Sequence, residues 1–144
     1  MAENDKWKIA GVEVHVLLSS RTTAGRFTIS EVQNSGEDGL PLHTHHYEDG
    51  FFFVLEGDFQ FQLGKETIAA PSGTSIFIPR ETAYAFRNGG PGKGRLLVLT
   101  VPGGVDLFIR DVGELARRAS GLDWRQLSPI LEKHGILPVE APEE

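Results

Sequence analysis

From residue 11 onward the chain is written in short alternating runs separated by turns. "GVEVHVLL" (11–18) and "RFTISEVQ" (26–33) place apolar and polar residues with a period of two, and Phe27 and Ile29 share one face with Glu31. "NSGEDGLP" (34–41) is a turn cluster. The run "FFFVL" (51–55) is closed by "EGD", a hairpin turn centred on Gly57. "FQFQL" alternates strictly up to Gly64, "ETIAA" leads into "PSG", and "TSIFIP" and "AYAFRN" follow. "GGPGKG" is a glycine-rich loop before a last buried strand, "RLLVLTV" (95–101). Many short strands at even spacing predict an all-β sandwich or barrel.

Past "PGG" (102–104) the period changes. Residues 106–118 read as a helix with Phe108, Val112, Leu115 and Ala116 on one face. Asp123 stands as an N-cap with Gln126 in capping-box position, and Trp124, Leu127, Ile130 and Leu131 form the next apolar stripe. Gly135 is placed to end that helix, with Pro138 just beyond. The expected organisation is a barrel over 1–104, a helical extension of the same domain over 105–138, and a frayed tail over 139–144.

Two strands, "FFFVL" and "LLVLTV", are apolar on both faces. One face can fill the barrel, and the other needs cover from the terminal helices or a second subunit, which predicts a homodimer. With 144 residues the chain is long enough for a core of its own. The net charge of -6 and scattered basic residues argue against nucleic acid and anionic membranes as partners. There is no cysteine, so disulfides, thiolate ligands and a cysteine nucleophile are excluded. No segment has the apolar length of a membrane span and the first residues lack a leader-like apolar stretch, so a cytoplasmic location is expected.

The candidate chemistry lies in "PLHTHHYEDGFFFVLEG" (41–57). Residues two apart in a strand point the same way, roughly 6.5–7 Å apart along the chain. His43 and His45 therefore aim into one interior, while His46 faces away. The spacing alone leaves open a metal site, its descendant, or ordinary packing. His15 reads as a strand residue, and His134 as the end of the last helix near its negative pole.

In this register the segment resembles the first motif of the cupin superfamily, G-x5-H-x-H-x3,4-E-x6-G. "GTSIFIPRETAYAFRN" (73–88) resembles the second, G-x5-P-x-G-x2-H-x3-N, with Gly73, Pro79 and Asn88 in register. The likeness runs from about Phe27 to Val101, and the helical tail is similar to that of small single-domain, quercetin-dioxygenase-like cupins. It implies a double-stranded β-helix, the jelly-roll barrel, with C-terminal α-helices. It also implies iron, manganese, nickel or zinc held by three histidines and one glutamate.

His43 and His45 match two of those ligands. The glutamate position is Gly50, the third histidine is Tyr84, and the second motif's inner glycine is Glu81. Two imidazoles alone hold a divalent ion weakly, and a phenol ionises near pH 10. Glu48, of the same parity as Gly50, is the candidate to complete a set of His43, His45, Glu48 and Tyr84. Asp49 has the wrong parity.

The other outcome is a metal-free pocket, with space beside Phe52 and Val54 where the carboxylate is missing and with Phe86 pointing the same way as Tyr84. Imidazoles and a phenol suit general acid–base chemistry on a small organic molecule. The leading expectation is an isomerase, cyclase or lyase acting on an apolar or aromatic, polyketide-like oxygenated substrate through His43, His45 and Tyr84. The alternatives are a metal-dependent dioxygenase with a non-standard ligand set, and a small-ligand-binding barrel without turnover. Phe51, Phe52 and Phe53 also have an ordinary reading as core. Arg80 and Glu81 read as a solvated turn at the barrel mouth, and Arg87 as outward-facing.

Overall fold

The computed structural model describes residues 5–9, 11–35, 41–118 and 124–139. Its strands are β1 (Lys6–Ile9), β2 (Val12–Leu18), β3 (Thr28–Ser35), β4 (His43–His45), β5 (Asp49–Glu56), β6 (Asp58–Leu63), β7 (Glu66–Pro71), β8 (Ser75–Ile78), β9 (Tyr84–Asn88), β10 (Lys93–Val101) and β11 (Ile136–Pro138). Two helices, α1 (Val105–Arg118) and α2 (Trp124–Lys133), lie between β10 and β11. The strands form two antiparallel sheets, β1-β2-β3-β10-β5-β8 and β11-β4-β9-β6-β7, which face each other as a jelly-roll barrel.

Alternation decides what fills the barrel. Val12, Val14 and Val16 of β2, Phe52 and Val54 of β5, Phe59 and Phe61 of β6, and Leu96 and Val98 of β10 are buried at every second position. Phe52, Phe59, Phe61 and Phe86 pack as an aromatic cluster with centroids 5.4–6.4 Å apart, within the range of favourable ring contacts. The face that Phe27, Ile29 and Glu31 share is the outer one; Thr28, Ser30, Val32 and Asn34 point inward.

Residues placed by backbone geometry explain two motif positions. Gly57 turns the β5–β6 hairpin at φ 105°, and a Cβ there would lie 3.1 Å from Gly94 Cα. Asn88 is buried and ties three backbone groups: its Nδ2 donates to Asn34 O (3.3 Å) and Gly92 O (2.9 Å), and its Oδ1 accepts from Gly90 N (3.1 Å).

The tail departs from expectation in two ways. The buried stripe of α1 is Phe108, Ile109, Val112 and Gly113, with Leu115 and Ala116 only half-buried. Trp7 of β1 sets this rotation, because its ring packs where a Gly113 side chain would be, with Arg117 stacked 4.0 Å from the ring centroid. The second departure is that the tail is not helical throughout. After α2, which buries Leu127 and Leu131, Gly135 takes φ 69° and the chain returns as β11. There Ile136, Leu137 and Pro138 pair with His45, Thr44 and His43, and Val139 N then donates to Leu42 O at 2.9 Å. The short β4 exposes unpaired backbone on that edge, and β11 satisfies it. Asp123 and residues 140–144 lie outside the described residues, as does the side chain of Trp124.

A Cβ at Gly113 would sit 2.3 Å from Trp7 Cε3. Overpacking of this kind costs roughly 1–3 kcal/mol, against a helix-propensity gain of about 1 kcal/mol for alanine over glycine. Gly113→Ala is therefore expected to lower stability in urea unfolding. An unchanged or raised midpoint would show that Trp7 does not fix the helix.

Candidate functional site

The pleat of β4 sends His43 and His45 inward and His46 outward. His43 is 2% exposed, whereas the His46 side chain is 56% exposed and pairs with Glu81. Tyr84, the first residue of β9, is the register partner of His43, and their ring centroids are 4.5 Å apart. His45 lies 5.1 Å from His43 and 5.8 Å from Tyr84 by the same measure. The three sequence-predicted side chains thus meet at one point of the barrel wall.

Each ring has a defined role in hydrogen bonding. His43 Nδ1 is 2.8 Å from Pro41 O, and a carbonyl only accepts, so Nδ1 carries the proton. The lone pair is left on Nε2, which is buried and has no partner. Burial, then the neighbouring His45, lowers the pKa of His43 from 6.5 to about 3, against the raising effect of the Pro41 hydrogen bond. His43 is a neutral acceptor at any ordinary pH.

His45 is held at both ends. Its Nδ1 lies 3.2 Å from Glu48 Oε1 and its Nε2 lies 3.3 Å from the Tyr84 hydroxyl. Glu48 is 8% exposed, so the turn after His45 does bring its carboxylate inside. It arrives at the Nδ1 side of the ring, where it accepts a hydrogen bond from the imidazole N–H and fixes its orientation. Burial, followed by the charge of Glu48, pushes the Tyr84 phenol above its usual pKa of 10, so it stays protonated and donates.

His43, His45 and Tyr84 line an apolar cavity of about 100 Å³. Phe86 lines it from the sheet of the imidazoles, and Val14, Val32, Phe52 and Val98 form the wall on the opposite sheet. Helix α1 contributes Val105, Phe108 and Ile109. Gly50 and Val54 are corrections to the expected pocket. The space at Gly50 is taken by the ring of Phe52, whose Cε1 lies 3.1 Å from where a Cβ would be, and Val54 is fully buried in the hydrophobic core. Sequence reasoning missed Ser30 and Thr100, which also line the cavity. The available signal at Thr100 was a hydroxyl at an inward parity in a strand whose neighbouring inward residues are Leu96 and Val98. Outside the cavity, Asp49 accepts from Arg80 N (2.9 Å) and pairs with its guanidinium (3.2 Å), which braces β5 against the turn before β9.

Residues 30–100 match the family model described as a cupin domain. The barrel is a cupin. Among curated proteins, SchB of Streptomyces halstedii is 32% identical over 90 residues, 60% of this chain and 64% of that protein. Quercetin 2,3-dioxygenase of Bacillus subtilis (strain 168) is 24% identical over 107 residues, 74% of this chain and 32% of that protein. The chain thus spans less than two thirds of the length of these curated relatives. Among solved structures, the polyketide cyclase RemF from Streptomyces resistomycificus is 27% identical with a TM-score of 0.56, covering 70% of each chain.

The donor set of this cupin does not fit the four-ligand metal site of the family. Among the described residues, no group of three or more histidine, aspartate or glutamate side chains is placed to hold a metal ion. Gly50 offers no side chain, Glu48 is engaged at the Nδ1 side of His45, and Tyr84 keeps its proton. What remains is the unpaired His43 Nε2 and a His45 Nε2 that already faces the phenol.

The buried neutral His43 has a thermodynamic consequence. Its folded pKa is about 3, against an ordinary value of 6.5, so the unfolded chain binds the extra proton first as pH falls. Stability attributable to this group is complete above pH 6.5 and declines toward pH 3, by at most about 1.4 kcal/mol per pH unit. Between pH 7 and 5 the stability gap between the wild type and His43→Gln is expected to narrow by about 2 kcal/mol. Parallel urea titrations measure it, and a gap independent of pH would rule out a neutral buried imidazole.

Proposed function

We propose that this cupin is an acid–base enzyme, an isomerase, cyclase or lyase acting on an apolar or aromatic, polyketide-like oxygenated substrate. The observation that carries the reading is the hydrogen-bonded chain Glu48–His45–Tyr84 opening into an apolar cavity. With Nδ1–H donated to Glu48, His45 presents Nε2 as the base once the Tyr84 hydroxyl, which donates to that atom in the free protein, turns to the substrate oxygen. Tyr84, held protonated, is the donor to an oxygen that gains charge. His43 Nε2 accepts from a substrate hydroxyl and orients it.

In this arrangement a proton on a carbon beside a carbonyl passes to His45 Nε2. The electron pair moves to the carbonyl oxygen, where the Tyr84 hydroxyl stabilises the enolate. Return of the proton at another carbon is an isomerisation. Attack of the enol carbon on a second carbonyl closes a ring, and expulsion of a β-hydroxyl is a dehydration. The apolar walls strengthen these interactions by keeping water away. The likeness to a polyketide cyclase supports the substrate class.

The test is exchange of the acetophenone methyl protons with D2O, followed by NMR in the presence of a chelator. Exchange is expected above the rate with denatured protein, and to fall about 100-fold in Tyr84→Phe and in His45→Gln. Full activity in either variant would overturn the proposal. So would near-stoichiometric metal in protein purified without added metal if it were lost in His43→Ala.

The homodimer is also part of this reading. Phe51, Phe77 and Val101 are 38%, 61% and 42% exposed on the outer face of the six-stranded sheet, and Phe51 is the register partner of both Phe77 and Leu99. The helices lie elsewhere, α1 against β1 and α2, and α2 against β11. Such a contiguous apolar face fits a partner subunit. Light scattering is expected to give twice the chain mass, and Phe77→Glu to give the monomer. A monomeric wild type at micromolar concentration would sink this part.

A further inference from the structure

We infer that Thr100 is a second substrate anchor, holding an oxygen of the bound ring on the wall opposite the imidazoles. The inference rests on the proposed substrate class and narrows it. Thr100 lies on β10 of the six-stranded sheet, across from Gly50 on one side and Thr28 on the other. It is 7% exposed, lines the cavity, and its Oγ1 is buried without a hydrogen-bond partner. Buried hydroxyls are nearly always paired, because leaving one unpaired forfeits its hydration with nothing in return. Valine has the same shape and fits such a wall without that penalty.

Two residues of the cavity lining thus carry a buried, unpaired polar atom, His43 Nε2 on one sheet and Thr100 Oγ1 on the other. They differ in what they ask of a ligand. His43 Nε2 only accepts, since its proton sits on Nδ1. A threonine hydroxyl donates or accepts. The ligand that satisfies both is a ring with a hydroxyl at one edge and a hydroxyl or carbonyl oxygen at the opposite edge. Ser30, inward on the neighbouring β3 and also at the cavity wall, adds a second hydroxyl on the Thr100 side. Valine and phenylalanine side chains between the two ends leave the faces of the ring in an apolar environment.

Hydroquinone and phenol serve as probes, titrated anaerobically and followed by protein NMR. Hydroquinone is expected to bind about 5- to 10-fold more tightly than phenol, the worth of one buried hydrogen bond. Thr100→Val should bring hydroquinone down to the phenol value and leave phenol unchanged. Thr100→Ser, which keeps the hydroxyl, should retain most of the difference. The anchor is overturned if neither probe binds, if the two bind equally, or if Thr100→Val leaves the difference intact. A failed anchor with Tyr84-dependent acetophenone exchange leaves the acid–base reading standing. Thr100-dependent discrimination without any exchange overturns that reading and leaves the anchor.

Discussion

The site depends on a strand of only three residues. β4 has one register pair with β9, His43 with Tyr84, and that single pair brings an imidazole and a phenol into ring contact. So short a strand cannot hold its own pleat, yet the pleat is what sends His43 and His45 inward. Its other edge is fixed by β11, whose three residues pair with all three of β4. The C-terminal segment thus reaches back across the molecule to set side-chain direction at the centre of the site. A further clamp at the same place is Glu81 N, which donates to His45 O at 2.9 Å.

The turn before β9 shows what this clamp requires. Glu81 stands where the cupin motif has glycine, and it keeps φ 70°, a conformation disfavoured for residues with a Cβ. Its side chain pairs with His46, the histidine that the pleat turns out to solvent. His46 is therefore no ligand, and it still serves the site by holding the turn that carries Tyr84. Asp49 and Arg80 do the same a few residues away.

The barrel, most of its strands and the inward pair of histidines were legible because each is local, whereas β1 and the ends of β3 and β10 that run into the expected turns were not. Period-two alternation and turn residues need no knowledge of distant chain. The features that escaped were those decided at long range. The rotation of α1 depends on Trp7, more than a hundred residues away, and helical periodicity alone cannot see it. β11 carries no alternation of its own and forms because β4 offers an unpaired edge. The same logic applies to Glu48: parity allowed it to reach His45, and only the turn geometry decided that it would do so at Nδ1. The hole expected at Gly50 failed for a packing reason, since a neighbouring phenylalanine ring moves into the space an absent side chain leaves.

Motif positions that match and those that differ separate along a physical line. Gly57 and Asn88 serve the backbone, one by turning where a side chain would meet Gly94 and the other by tying three main-chain groups. Removing either disturbs the fold, whatever the site does. In the motif register read from the sequence, Gly50 and Tyr84 stand where the resemblance implies metal-binding side chains, and such replacements are expected to alter chemistry and leave the barrel intact. A chain can therefore keep the family's outline while its site changes character. Here two imidazoles remain, but one is kept neutral by burial and fixed as an Nε2 acceptor by Pro41, and the other is drawn into a chain with a carboxylate and a phenol. In the proposed reaction that division of labour, an orienting acceptor beside an oriented base, needs no third ligand to be chemically coherent.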